Sequence, residues 1–181
     1  MSRLKNVQTL TISAMLTALA IVLGFFKIPI SNLIEIHFSF LPLALVGQLF
    51  GPVVSGIVGI LSDLGSYVVK PTGPFFPGFT ISTMVSGLIY GFVLKGKKIT
   101  VWRAFLSKFL NTIFVSFLLN PLWLSILYGN GFWAIVAARL PGELVMLPIN
   151  TAMIYLFLKA LEAVRLQQRF GLFAGKNYKI K

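Results

Sequence analysis

Apolar residues fall in six long runs along this chain, separated by polar or proline- and glycine-rich breaks. A helix needs roughly 20 apolar residues to cross the hydrocarbon core of a bilayer. The runs predict spans at about 7–26, 36–50, 53–69, 80–94, 101–119 and 140–163. Span one follows Arg3 and Lys5 and stops at Lys27-Ile28-Pro29. It shows no A-x-A cleavage pattern and further spans follow, so it is expected as a retained helix rather than a signal peptide. Span two is short and carries Pro42. Gly51-Pro52 marks a tight reversal into span three. Span five is interrupted at Asn120-Pro121 and continues as apolar sequence to Tyr128. Gly129-Asn130-Gly131 is a turn, and FWAIVAAR after it is expected as a short re-entrant or interfacial helix. The expected fold is an all-α integral membrane protein. Residues 1–163 form a compact bundle of six transmembrane helices, and 164–181 a basic cytoplasmic tail.

Composition agrees. Hydrophobic residues are 57% of the 181 and charged residues 11%, where a soluble domain carries about 25% charged. Six spans leave no room for a separate soluble domain. No GxxxxGK[ST] loop is present, so the chain has no visible means of using ATP itself. With no cysteine and one histidine, no metal cluster and no nucleophile–base–acid set can be assembled. Neither an enzyme, a metal nor a cofactor is expected.

The net charge of +12 points to membrane orientation rather than to nucleic acid. All but Lys27, Lys70 and Arg139 of the sixteen lysines and arginines fall on or nearest the side that holds the tails and Lys95 to Lys98. The bias of Lys and Arg toward cytoplasmic loops then puts both termini in the cytoplasm. The three exceptions share the other side with Glu35, Asp63 and Glu143 and with His37. Ionisable groups at membrane depth are costly and tend to face a cavity or a partner. Arg139 and Glu143 are spaced i,i+4 on one helix face, either as an internal pair or as ligand-facing groups, with Pro141 between them. Asp63 is equally open to a ligand or to Ser62 and Ser66 beside it.

Small residues recur four apart: Ala14 with Ala18, Ser13 with Thr17, Ser55 with Gly59, Ser82 with Ser86, and Gly87 with Gly91. This spacing lets helices approach closely in lipid. In spans three and four it predicts packing within the bundle. In span one, near the basic side, it also suits a docking surface. The loop KPTGPFFPGFT (70–80) is apolar and stiffened by Pro74 and Pro77 around Phe75-Phe76. Glycines 73 and 78 read as hinges of a lid. Non-helical backbone near membrane depth must be buried or line a cavity.

The AxxxA of SAMLTALA, the six-span layout with basic ends, and the block GPVVSGIVGILSDLGSYVVKPTGPFFPGFTISTMVSGLIYG together resemble the S components of energy-coupling factor transporters. The resemblance runs from about Leu10 to Ala163, and the long block is most like the folate-specific members. It implies a subunit of the bacterial cell membrane that binds folate from outside, under loops that follow spans one, three and five. Ala14 and Ala18 would dock it on a transmembrane T protein coupled to two cytoplasmic ATPases, and the whole subunit would topple to release the vitamin inside. For such a ligand, Glu143, Asp63 or Asn150 could accept the pterin donors. Phe75, Phe76 and Trp123 would contact the rings, and Arg139, Lys27 or Lys70 the glutamate carboxylates, with His37 nearby. The competing readings are an S component for another vitamin (thiamine, riboflavin, a queuosine precursor or pantothenate) and a stand-alone carrier. A carrier would need a continuous polar path, and the inner halves of the spans offer little beyond Gln48, Lys108 and a few hydroxyls. Lys108 and Lys159 are expected to snorkel to the cytoplasmic surface.

Overall fold

A computed structural model describes residues 7–31, 34–69, 75–129 and 131–163. The apolar runs fold as helices: α1 (Val7–Phe25), α2 (Phe40–Phe50), α3 (Pro52–Val69), α4 (Pro77–Leu94), α5 (Val101–Asn111), α6 (Asn120–Tyr128) and α7 (Phe132–Ala163). A π-helical stretch, Thr112–Leu119, joins α5 to α6 without a break. Among the described residues, five spans are long and apolar enough to cross a membrane, α5 through α6 counting as one.

The sixth element differs from its expected extent. Residues 34–37 are extended, and α2 begins only at Phe40. At 11 residues it is about 17 Å long, half of a bilayer's hydrocarbon thickness. It is nonetheless the centre of the bundle: every residue from Leu41 to Phe50 is buried, against α1, α3, α4 and α7. Between α1 and α2 lies an antiparallel hairpin of β1 (Lys27–Ser31) and β2 (Ile34–His37), an extended addition to the helical body. Lys27 pairs with His37 and Pro29 with Glu35 in its register, and β2 contacts α7.

The small residues of α3 and α4 serve internal packing, as their spacing predicts. A Cβ on Gly59 would stand 2.5 Å from the Thr83 carbonyl oxygen, and one on Gly87 would collide with the Ser55 backbone. Gly91 lies against Pro52 and Gly47 against Tyr90 and Gly91, so α2, α3 and α4 meet backbone to backbone. The reversal at Gly51 needs φ of +92°, a region glycine enters freely.

The second expected interruption disappears. FWAIVAAR is the first part of α7, a single 32-residue helix that runs through Pro141 and Pro148. Each proline withdraws one N–H from the helix. Membrane helices tolerate this because neighbours can re-satisfy the freed carbonyl. Pro121 is accommodated differently. The π turn before it shifts the ladder, with the Asn120 N–H bonding to the Val115 carbonyl. The proline ring thereby avoids the register that would drive it into the preceding turn.

The helix directions define two ends. The starts of α1, α3 and α5 and the ends of α2, α4 and α7 share one end with Lys95, Lys97 and Lys98, called here the basic end. Glu162 fastens it: one carboxylate oxygen accepts from the buried Gln48 side chain and from the Ile99 N–H, both at 2.8 Å. At the opposite, aromatic end lie the hairpin, the close of α3 and α6, and the openings of α4 and α7. The tail at 164–181 lies outside the described residues.

Candidate functional site

Aromatic side chains wall the aromatic end. Phe76 caps α4 in an extended conformation, and its ring packs on Trp123 at 5.7 Å and on Phe79 at 6.0 Å between centroids. Trp123, on α6, donates its indole N–H to the Ser82 hydroxyl at 3.1 Å. Phe75 leaves this group and tilts against Tyr67 of α3 at 5.2 Å, nearly half exposed. Gly78 is no hinge: it is buried in the first turn of α4, and a Cβ there would strike both Phe76 and Trp123 at 2.5 Å. Its lack of a side chain lets the two rings close over the helix start. Gly73 and Lys70 lie outside the described residues.

Asp63 accepts a 2.7 Å hydrogen bond from Thr80, across from α3 to the first turn of α4. The neighbouring Ser62 turns back to the Gly59 carbonyl instead.

Deeper in, polar groups from three helices form a layer inside the bundle. Lys108, Asn111 and Thr112 stand about 10 to 17 Å along the chain axis from the start of α5. Thr112 donates a long 3.4 Å bond to Glu143 of α7, and Ser86 of α4 donates to the Asn111 side-chain oxygen Oδ1 at 3.2 Å. Lys108 does not snorkel to the basic end. Its ammonium lies 5.7 Å from the ring centre of Phe40, the first residue of α2, within the electrostatic reach of Glu143. The side chain of a helical residue leans toward the helix start, which for Lys108 is the basic end, yet its ammonium stays beside Phe40. Tyr90 also lies within reach of the Glu143 charge.

Arg139, Glu143 and Asn150 share one face of α7 at spacings of four and seven residues. Among the described residues no ion pair joins Arg139 to Glu143. Asn150 is buried, and its side-chain oxygen Oδ1 has no hydrogen-bond partner; the same holds for the side-chain nitrogen Nδ2 of Asn111. Buried polar atoms are usually paired, so these two and Glu143 leave hydrogen-bonding capacity in the layer. The structure therefore gathers Phe76 with Trp123 at one level, and Glu143 on a face with Arg139 and Asn150 below. Lys27 and His37 sit on the hairpin as register partners. Sequence reading missed Lys108, Asn111, Thr112, Ser86 and Tyr90. Nothing but the convergence of three helices separates them from ordinary polar residues of a span.

On α1 the small residues divide. Ser13 and Thr17 are buried against the bundle, whereas Ala14 and Ala18 are exposed with Leu10, Met15 and Leu19 around them.

A bundle of membrane-crossing helices that turns polar side chains inward, beneath an aromatic wall at one end, defines a multi-pass membrane protein. Known proteins narrow this further. The family model of the substrate-specific component of ECF transporters matches residues 8–158. The folate transporter FolT of Clostridium novyi is 34% identical over 170 residues, covering 94% of this chain and 99% of that one. The folate transporter FolT of Leuconostoc mesenteroides is 31% identical over 152 residues, covering 80% and 81%. A crystal structure of FolT bound with folic acid superposes with a TM-score of 0.75 at 31% identity, over 83% of this chain and 92% of that one. The chain belongs to the substrate-specific, or S, components of ECF transporters.

Proposed function

We propose that this protein is a folate-specific S component that takes up its vitamin at the aromatic end. The likeness in fold and sequence to a FolT structure holding folic acid carries this reading. The inward polar layer beneath Phe76 and Trp123 supports it with chemistry suited to the ligand. A pterin offers a row of N–H donors, and Glu143 and Asn150 hold acceptor capacity on one face of α7. Its rings need flat apolar contacts, which Phe75, Phe76 and Trp123 supply. The glutamate carboxylates need a cation, and Arg139 is half-buried one turn above Glu143. Lys27, Lys70 and His37 are further cations or donors from the loops, and Lys108 is a second one from within. Asp63 holds Thr80 and so positions the start of α4 beside the ring contacts.

In this reading the basic end is cytoplasmic, both termini with it, and the tail at 164–181 extends there. The exposed Ala14 and Ala18 dock on the T protein, which joins the subunit to two ATPases; the vitamin is released inside after the subunit topples. The experiment is to purify the chain, identify by absorbance and mass what co-purifies, and titrate folate against a panel of other vitamins. Saturable binding of folate alone is expected. Binding of thiamine, riboflavin or pantothenate with no response to folate overturns the reading.

A further inference from the structure

Away from the interior site, α5 and α7 leave a groove of about 550 Å³ between them on the outside of the bundle. Trp102 and Phe105 of α5 form one wall, and Pro148, Ala152, Tyr155 and Leu156 of α7 the other. Its apolar character has local causes. Ala152 contributes almost no side chain. The Thr151 hydroxyl bonds back to the Leu147 carbonyl at 2.7 Å, which leaves its methyl to the surroundings. Trp102 stacks on Phe105, and Phe105 on Phe109, each at 5.6 Å, so one wall is a flat aromatic ladder. Trp102 and Leu156 are 68% and 64% exposed, hence open to the bilayer.

The end of the groove toward the basic end is cationic. The Lys159 ammonium donates to the Tyr155 hydroxyl at 2.7 Å and lies over its ring, holding the charge at the groove's rim. The acid of this end, Glu162, is occupied by Gln48 and Ile99. From Leu147 to Lys159 the rise along α7 is about 18 Å, the depth of one leaflet's hydrocarbon plus the headgroup boundary.

We propose that this groove binds one anionic phospholipid of the leaflet at the basic end, an acyl chain lying between α5 and α7 and the headgroup phosphate on Lys159. The apolar floor, the single-leaflet length and the cation held at the headgroup level each match that ligand. A zwitterionic lipid would use the floor and gain little from Lys159, and an apolar partner helix would leave that cation without an anion.

Native mass spectrometry of the purified protein with equal amounts of phosphatidylglycerol and phosphatidylcholine of matched chains tests this. One retained phosphatidylglycerol is expected, preferred about fivefold for each cation in contact. Lys159→Ala should lower its retention to that of phosphatidylcholine. Ala152→Phe should fill the groove and lower retention of both lipids. Folate binding by all variants reports that they are folded. Equal retention of the two lipids by the parent, or unchanged phosphatidylglycerol retention in the folded variants, overturns the proposal. So does a lipid-free parent dimer that Ala152→Phe dissociates.

Discussion

At the scale of single residues, the arrangement of Arg139 makes a sharp prediction. It has no ion pair with Glu143 to lose, so its removal should spare the fold. A charge-assisted hydrogen bond to a ligand carboxylate contributes about 1.5–3 kcal/mol. Arg139→Ala should therefore weaken folate binding roughly tenfold to hundredfold by titration calorimetry, with thermal stability in detergent unchanged. Unaltered affinity would remove Arg139 from the site. Trp123→Phe keeps a ring against Phe76 but loses the donor to Ser82, and should cost about 1 kcal/mol in stability. A drop in melting temperature common to Trp123→Phe and Ser82→Ala, and not additive between them, would identify that bond. At this scale the sequence exposes charges and aromatics that stand out against an apolar background, such as Asp63, Glu143 and Phe76. It hides Lys108. Its position near a basic loop is the ordinary place for snorkelling, and only the fold shows Phe40 and Glu143 around it.

At the scale of elements, small residues do two different jobs, and substitution should separate them. Gly87→Ala drives a Cβ into the Ser55 backbone and should destabilise the α3–α4 pair by about 1–3 kcal/mol. Ala14→Trp on the exposed face of α1 should leave both stability and folate binding intact while abolishing transport in the assembled complex. If binding falls as well, the alanines act within the bundle. Most element boundaries are legible in hydropathy, but two were not, for definite reasons. The pattern Ile34-Glu35-Ile36-His37 alternates with period two, the strand signature, yet it is only four residues long, and Ile36 and His37 read as the start of span two. Pro141 looks like a helix boundary by the rules of soluble proteins, where its lost hydrogen bond and ring clash break helices. In α7 the helix carries on through it.

At the scale of the molecule, the two ends differ in chemistry, and their sides can be read directly. The chain contains no cysteine, so single substitutions report without background. Lys97→Cys should react with a membrane-impermeant maleimide only in inside-out vesicles, and Phe75→Cys only in right-side-out ones. The reverse pattern would invert the proposed orientation. The short central helix has a consequence for how the protein is made. Eleven residues are too few for the insertion machinery to retain as a span. A nascent chain ending just after Phe50 should therefore fail to integrate its second segment. One extended through Val69 should place α2 and α3 together, as a pair with its turn at the basic end. The element most deeply buried in the finished bundle is thus the one that cannot enter the membrane alone, and the topology of the first half of the chain is decided only when α3 has been synthesised.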